Sequence, residues 1–160
     1  MHDAFAVIRW SAAGIDPAVI SVLWSEAVVA EVFVFFIIGP AFLERYGARA
    51  AVTLAAAAGI VRWSIEGVTT STLLLSILQP LHGLTFALVH LACMRMMRAV
   101  VPARMAGTAQ ALYAFGSGLA TAALTLVSGA LYAGYAGVSF LLFICGVALP
   151  VAWLGFADDT

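Results

Sequence analysis

The chain has 160 residues, of which 64% are hydrophobic and 9% charged, with a formal net charge of −1. A soluble domain carries about 25% charged residues, so this composition and a mean hydropathy of +1.10 exclude a water-soluble globular protein and indicate an integral membrane one. All seven of the Lys and Arg side chains are Arg, and Ala is abundant, which reflects a GC-rich genome and not chemistry. Cys93 and Cys145 lie inside apolar segments, where a small thiol behaves as a buried hydrophobe, so neither a disulfide nor a metal site is expected.

The first residues, MHDAFAVIRW, have no basic region and no small-residue cleavage site after a compact apolar core, so they do not read as a signal peptide. Residues 3–13 are apolar but only about half as long as a membrane span needs, and are expected to be the end of a helix whose beginning is missing. Full spans are expected at 17–43, 50–70, 72–97, 106–132 and 138–156. The connectors follow turn chemistry: Gly14 to Pro17, Glu44 to Arg49, Glu66 to Ser71, Val101 to Arg104 and Ala133 to Gly137. Arg45 and Arg49 occupy the second connector, and Arg95, Arg98 and Arg104 gather at the fourth, whereas the first, third and fifth hold no Arg. The positive-inside rule then places the second and fourth connectors, and the Asp158-Asp159 tail, in the cytoplasm of a bacterial inner membrane. Completing the first helix gives a six-helix unit with both ends inside. The expected fold class is therefore all-α integral membrane, five transmembrane helices plus a partial N-terminal one, as in the C-terminal half of a major facilitator fold.

Glu31, Arg62 and His82 each sit near the middle of a different span. Charge at that depth costs about 2.5–3.5 kcal/mol per residue on insertion scales and marks partners, cavities or solute paths. A desolvated Glu31 is suited to proton uptake. Glu26 points about 140° away from it on the same helix and is expected to line the outward mouth or pair with another helix. Arg62 cannot shed its proton and needs an anion: either Glu66 one turn on, or a substrate carboxylate or Glu31. His82 follows Pro80, a kink suited to a helix that lines a cavity, and Gln79, His82 and Phe86 share a face. His90 lies two turns further on. Gln110 and Tyr113 share a face at the start of the next span, where they touch substrate, gate the cytoplasmic end or simply pack. Trp10, Trp24, Trp63 and Trp153 read as partly interfacial anchors. Nothing suggests a nucleophile triad, zinc spacing or nucleotide site, so neither an enzyme nor a cofactor is expected.

The run from Gln79 through Pro80, His82, Phe86 and His90 to Arg95, with Ala109-Gln110-Ala111-Leu112-Tyr113, resembles the C-terminal half of the phenylpropionate-permease branch of the major facilitator superfamily. That branch is related to nucleoside:proton symporters and more distantly to lactose permease. Trp10 to Gly14, Leu23-Trp24-Ser25 with Val28 to Val32, and Gly59 to Trp63 look like its seventh, eighth and ninth helices. The resemblance implies that Glu44, Arg45, Gly47 and Arg49 form a cytoplasmic gate, although Gly39 stands one position from where that signature has its leading glycine. Where lactose permease has a proton-handling carboxylate three residues after its matching histidine, this chain has Thr85. The implied function is proton symport of a small organic solute, a carboxylate-bearing or aromatic compound, by alternating access. Expected partners are the lipid bilayer, the solute and proton, and a missing N-terminal six-helix half or a dimer partner, with no nucleic acid. The competing expectation is a truncated or accessory membrane protein without transport of its own.

Overall fold

The computed structural model describes residues 2–135. The expected span at 138–156, Trp153 and the acidic tail lie outside them. Among the described residues the chain is helical, with α1 at His2–Ala12, α2 at Pro17–Phe33, α3 at Gly39–Val68, α4 at Thr72–Leu78, α5 at Pro80–Gly83, α6 at Val89–Val100 and α7 at Ala106–Tyr135. π-turns at Val34–Ile38 and Leu84–Leu88 join α2 to α3 and α5 to α6 without a break, and a short 3-10 turn, Ala103–Met105, precedes α7.

The turns are set by a few residues. Gly14 at φ 80° closes α1 and opens the first connection, and the Asp16 carboxylate then accepts the Ala18 N–H at 2.8 Å, with Pro17 opening α2. Gly47, at φ 80° and ψ 176°, leaves the helical conformation inside α3, in a region open essentially to glycine alone. This single residue replaces the six-residue connector expected from Glu44 to Arg49. Three stretches are long and apolar enough to cross a membrane, at Pro17–Val68, Thr72–Val100 and Ala103–Gly134. The expected count of five spans and a partial one is therefore not confirmed: the first stretch runs 52 residues with its break at Gly47, and the last expected span lies outside the described residues. The third connector is also shorter than expected, because α3 continues through Glu66 and Gly67, both buried, to Val68.

Pro80 interrupts the α4–α5 run. It leaves the Ser76 carbonyl without its usual donor, and the Gln79 N–H supplies one at 3.2 Å while also bonding Leu75 O at 3.1 Å. The helix tightens locally instead of opening.

Two apolar clusters hold the helices together. Val34, Leu43, Ala51, Ala87, Leu88 and Ala92 pack near the Gly47 turn, and Ala6, Trp10, Ile20, Leu23 and Leu75 pack near the other end. Trp10 is thus buried core, contrary to its expected interfacial place, because α1 lays it against α2. Between the clusters α2 crosses α5 closely: a Cβ added at Gly83 would lie 2.8 Å from Ala30 O and 2.9 Å from Val34 Cγ2. Gly83→Ala is expected to destabilise the fold by about 1–3 kcal/mol, read as a lower unfolding midpoint in detergent. An unchanged midpoint would show that the crossing opens freely.

Candidate functional site

The crossing of α2 and α5 brings Glu31, Arg62, Glu66, Gln79 and His82 into one hydrogen-bonded chain. Arg62 and Glu66 are one turn apart on α3, which aims both inward; they are 1% and 2% exposed, and Arg62 Nε donates to Glu66 Oε1 at 3.1 Å. Arg62 Nη2 donates to Gln79 Oε1 at 3.3 Å, and Nη1 contacts His82 Nδ1 at 2.6 Å. On the far side of the imidazole, His82 Nε2 meets Glu31 Oε1 at 2.7 Å. Arg62 thus makes the local pair with Glu66 that the sequence offered as one of its two readings, and the rest of its guanidinium fork reaches Gln79 and His82, the latter standing between it and Glu31.

An aromatic series runs beside this chain. Trp24 stands edge-on to the His82 ring at 6.5 Å, and Phe86, one turn after His82, stacks on it at 5.9 Å and 7°. Phe35 joins Phe86 at 6.5 Å to His90 at 5.8 Å, and His90 reaches Tyr113 at 6.1 Å. Phe86, His90, Gln110 and Tyr113 all line a groove of about 680 Å³ between α6 and α7, with Met94 and Thr121. Trp24 and Phe35 were not singled out in the sequence as site residues. The signal was available, since they fall seven residues before and four after Glu31 and so on its helical face.

Glu26 lies apart. Both its carboxylate oxygens are within reach of the Ser76 hydroxyl, at 2.9 and 2.8 Å, and the two residues line a separate apolar groove of about 630 Å³ with Phe33, Pro80 and Leu84. Thr85 Oγ1 donates to the His82 carbonyl at 3.1 Å, so this hydroxyl is spent on its own helix.

The model of a family described as MFS_1 like matches residues 1–144. The chain belongs to this major facilitator family. It is 36% identical over 153 residues to a protein of Escherichia coli (strain K12) named "Probable 3-phenylpropionic acid transporter", covering 96% of this chain and 40% of that protein. The chain thus spans well under half the length of this relative. No solved structure matches it.

In this facilitator chain the residues resembling the superfamily's gate surround the Gly47 break. Glu44, Arg45 and Arg49 are exposed there, and the Arg45 guanidinium lies 5.2 Å from the Tyr46 ring centre. Tyr46 in turn packs on Phe42 at 4.8 Å. Membership of this family and long apolar helices place the protein in a membrane.

Proposed function

We propose that this chain is one wall of a secondary transporter that moves a small organic anion together with a proton by alternating access, and not an enzyme. The observation that carries the reading is the chain from the buried Glu66 and Arg62 through the partly buried His82 to Glu31, set beside an aromatic-lined groove. Arg62 supplies a fixed positive charge for a carboxylate. Gln79 supports it: the residue is 1% exposed and its Nε2 has no hydrogen-bond partner among the described residues, leaving a donor beside the guanidinium. Glu31 exchanges the proton and His82 relays it, while Phe86 and its neighbours cover the apolar part of the solute. The relative's printed substrate, 3-phenylpropionic acid, has this build, a phenyl ring and a carboxylate, and we extend that class to this chain.

Facilitator sites lie between two six-helix halves, so the opposite wall is proposed to come from an N-terminal half or a second copy. His90, Gln110 and Tyr113 are proposed to contact the solute, Glu26 to line the mouth, and the Glu44–Arg49 segment to gate the other end. The Arg residues about Gly47 and the α6–α7 turn support a cytoplasmic side there, in a bacterial inner membrane with the C-terminus inside.

Uptake of labelled 3-phenylpropionate into vesicles under an imposed pH gradient, with both walls present, tests the reading. Glu31→Gln and Arg62→Ala should each abolish accumulation. If both leave it intact, the assignment of roles is wrong.

A further inference from the structure

The proton positions in the Glu31–His82–Arg62 chain follow from what each group can donate. A guanidinium keeps its proton and offers only donors. With Arg62 Nη1 at 2.6 Å, His82 Nδ1 must therefore present a lone pair. The proton of a neutral ring then sits on Nε2, facing Glu31 Oε1 at 2.7 Å. The tautomer of His82 is set by Arg62, and Arg62 is aimed in turn by Glu66 at Nε and Gln79 at Nη2. Among the described residues the charged groups bonded into this unit include Glu31 from α2 and Arg62 with Glu66 from α3; Trp24 and Phe86 flank the ring.

We propose that Arg62 is a latch on proton passage to Glu31 and that an organic anion opens it, an inference that rests on the transport reading above. While Arg62 holds Nδ1, a proton arriving there meets another donor and has no lone pair to bond. A carboxylate that draws the guanidinium aside exposes that lone pair. Nδ1 then takes a proton from hydronium of the adjoining aqueous phase, leaving water, the Nε2–H bond breaks, and its proton passes to Glu31 Oε1. What remains is a neutral carboxylic acid, which donates back to Nε2, and a neutral imidazole protonated on Nδ1 alone. One negative charge and one positive charge have entered. When the anion leaves, Arg62 can return to Nδ1 only after that nitrogen loses its proton, so Glu31 hands its own back to Nε2 and the steps reverse. Anion and proton are bound together and released together. Glu66 is a positioning residue in this scheme: it holds the guanidinium on line without meeting the proton.

Histidine-selective nitrogen-15 NMR in lipid bilayers, with both walls present and His82 assigned by its loss in His82→Gln, reads the latch directly. Without anion, His82 is expected to carry its proton on Nε2 with an excess of at least about tenfold, the ratio one charge-assisted hydrogen bond sustains. Its Nδ1 should show through-space contact with the Arg62 nitrogens. Arg62→Met should lower that ratio severalfold and raise a protonated-Nδ1 signal. Glu66→Gln keeps the guanidinium but loosens its aim, gives a smaller shift in the same direction, and serves where Arg62→Met does not fold. Adding 3-phenylpropionate to the unmodified chain should move the proton to Nδ1 and remove the Arg62 contact. A protonated Nδ1 without anion, a ratio unchanged in both variants, or an Nδ1 still unprotonated with the probe added overturns the latch. The transport reading fails separately, through vesicle uptake that is indifferent to Glu31 and Arg62.

Discussion

Arg62→Met is expected to destabilise the folded chain by about 3–5 kcal/mol, the cost of breaking a buried ion pair by removing one member. Both members are almost wholly enclosed, at 1% and 2% exposure, so the Glu66 carboxylate loses its 3.1 Å partner in a place where water does not replace it. The double variant Arg62→Met/Glu66→Leu is expected to recover most of that loss, because exchanging both partners for apolar residues of similar volume is close to neutral. Uptake should not return with it. Thermal unfolding in detergent and vesicle uptake, measured on the same three proteins, separate the two roles of Arg62. A double variant as unstable as the single one would mean that the bonds to His82 and Gln79, not the pair with Glu66, hold the helices together. A double variant that accumulates substrate would remove Arg62 from the anion site.

The second large effect is expected from Glu31→Gln. One proton carried with one monovalent anion moves no net charge, so accumulation should follow the pH gradient and ignore the membrane potential. A gradient of one pH unit is worth 1.36 kcal/mol, which sustains about tenfold accumulation. Glu31→Gln keeps a hydrogen-bonding group opposite His82 Nε2 but cannot take up a proton, so the accumulation ratio should collapse to about one while substrate exchange across the membrane, with label on one side, continues. Flux that responds to a potassium-diffusion potential would refute the one-to-one stoichiometry. Accumulation that survives the substitution would place the proton elsewhere, and Glu26 in its own groove is then the nearest carboxylate on the same helix.

Depth was readable from the sequence and partnership was not. Apolar runs locate Glu31, Arg62 and His82 near the middles of their helices because the price of burying charge is paid over a length that hydropathy records. Which way each side chain reaches depends on helix crossings, and those hang on small residues such as Gly83 against Ala30, which leave no mark in composition. Trp24 shows the difficulty: the aromatic-belt argument assigns it to an interface, whereas α2 turns it onto the His82 ring. Pro80 frees the Ser76 carbonyl, yet it is the Ser76 hydroxyl that meets Glu26, a partnership that spacing does not record. The Gly47 break was legible as a turn, but not as a one-residue turn, since Glu44, Arg45 and Arg49 look like loop and are helical.

The paired π-turns at Val34–Ile38 and Leu84–Leu88 pack against each other where α2 and α3 meet α5 and α6. Each takes in one residue more than an α-turn, which rotates everything after it by about 100°. His82 stands before one of these turns and His90 after it, so a single extra residue fixes the angle between the hydrogen-bonded chain and the side chains of the groove. A one-residue deletion within 84–88 would swing His90 and Met94 to new bearings and leave the bond from His82 to Glu31 untouched. The helix carries a vernier: a length change that would scramble an uninterrupted α-helix becomes, at Leu84–Leu88, a way to re-aim the groove wall while the charges before it stay where they are.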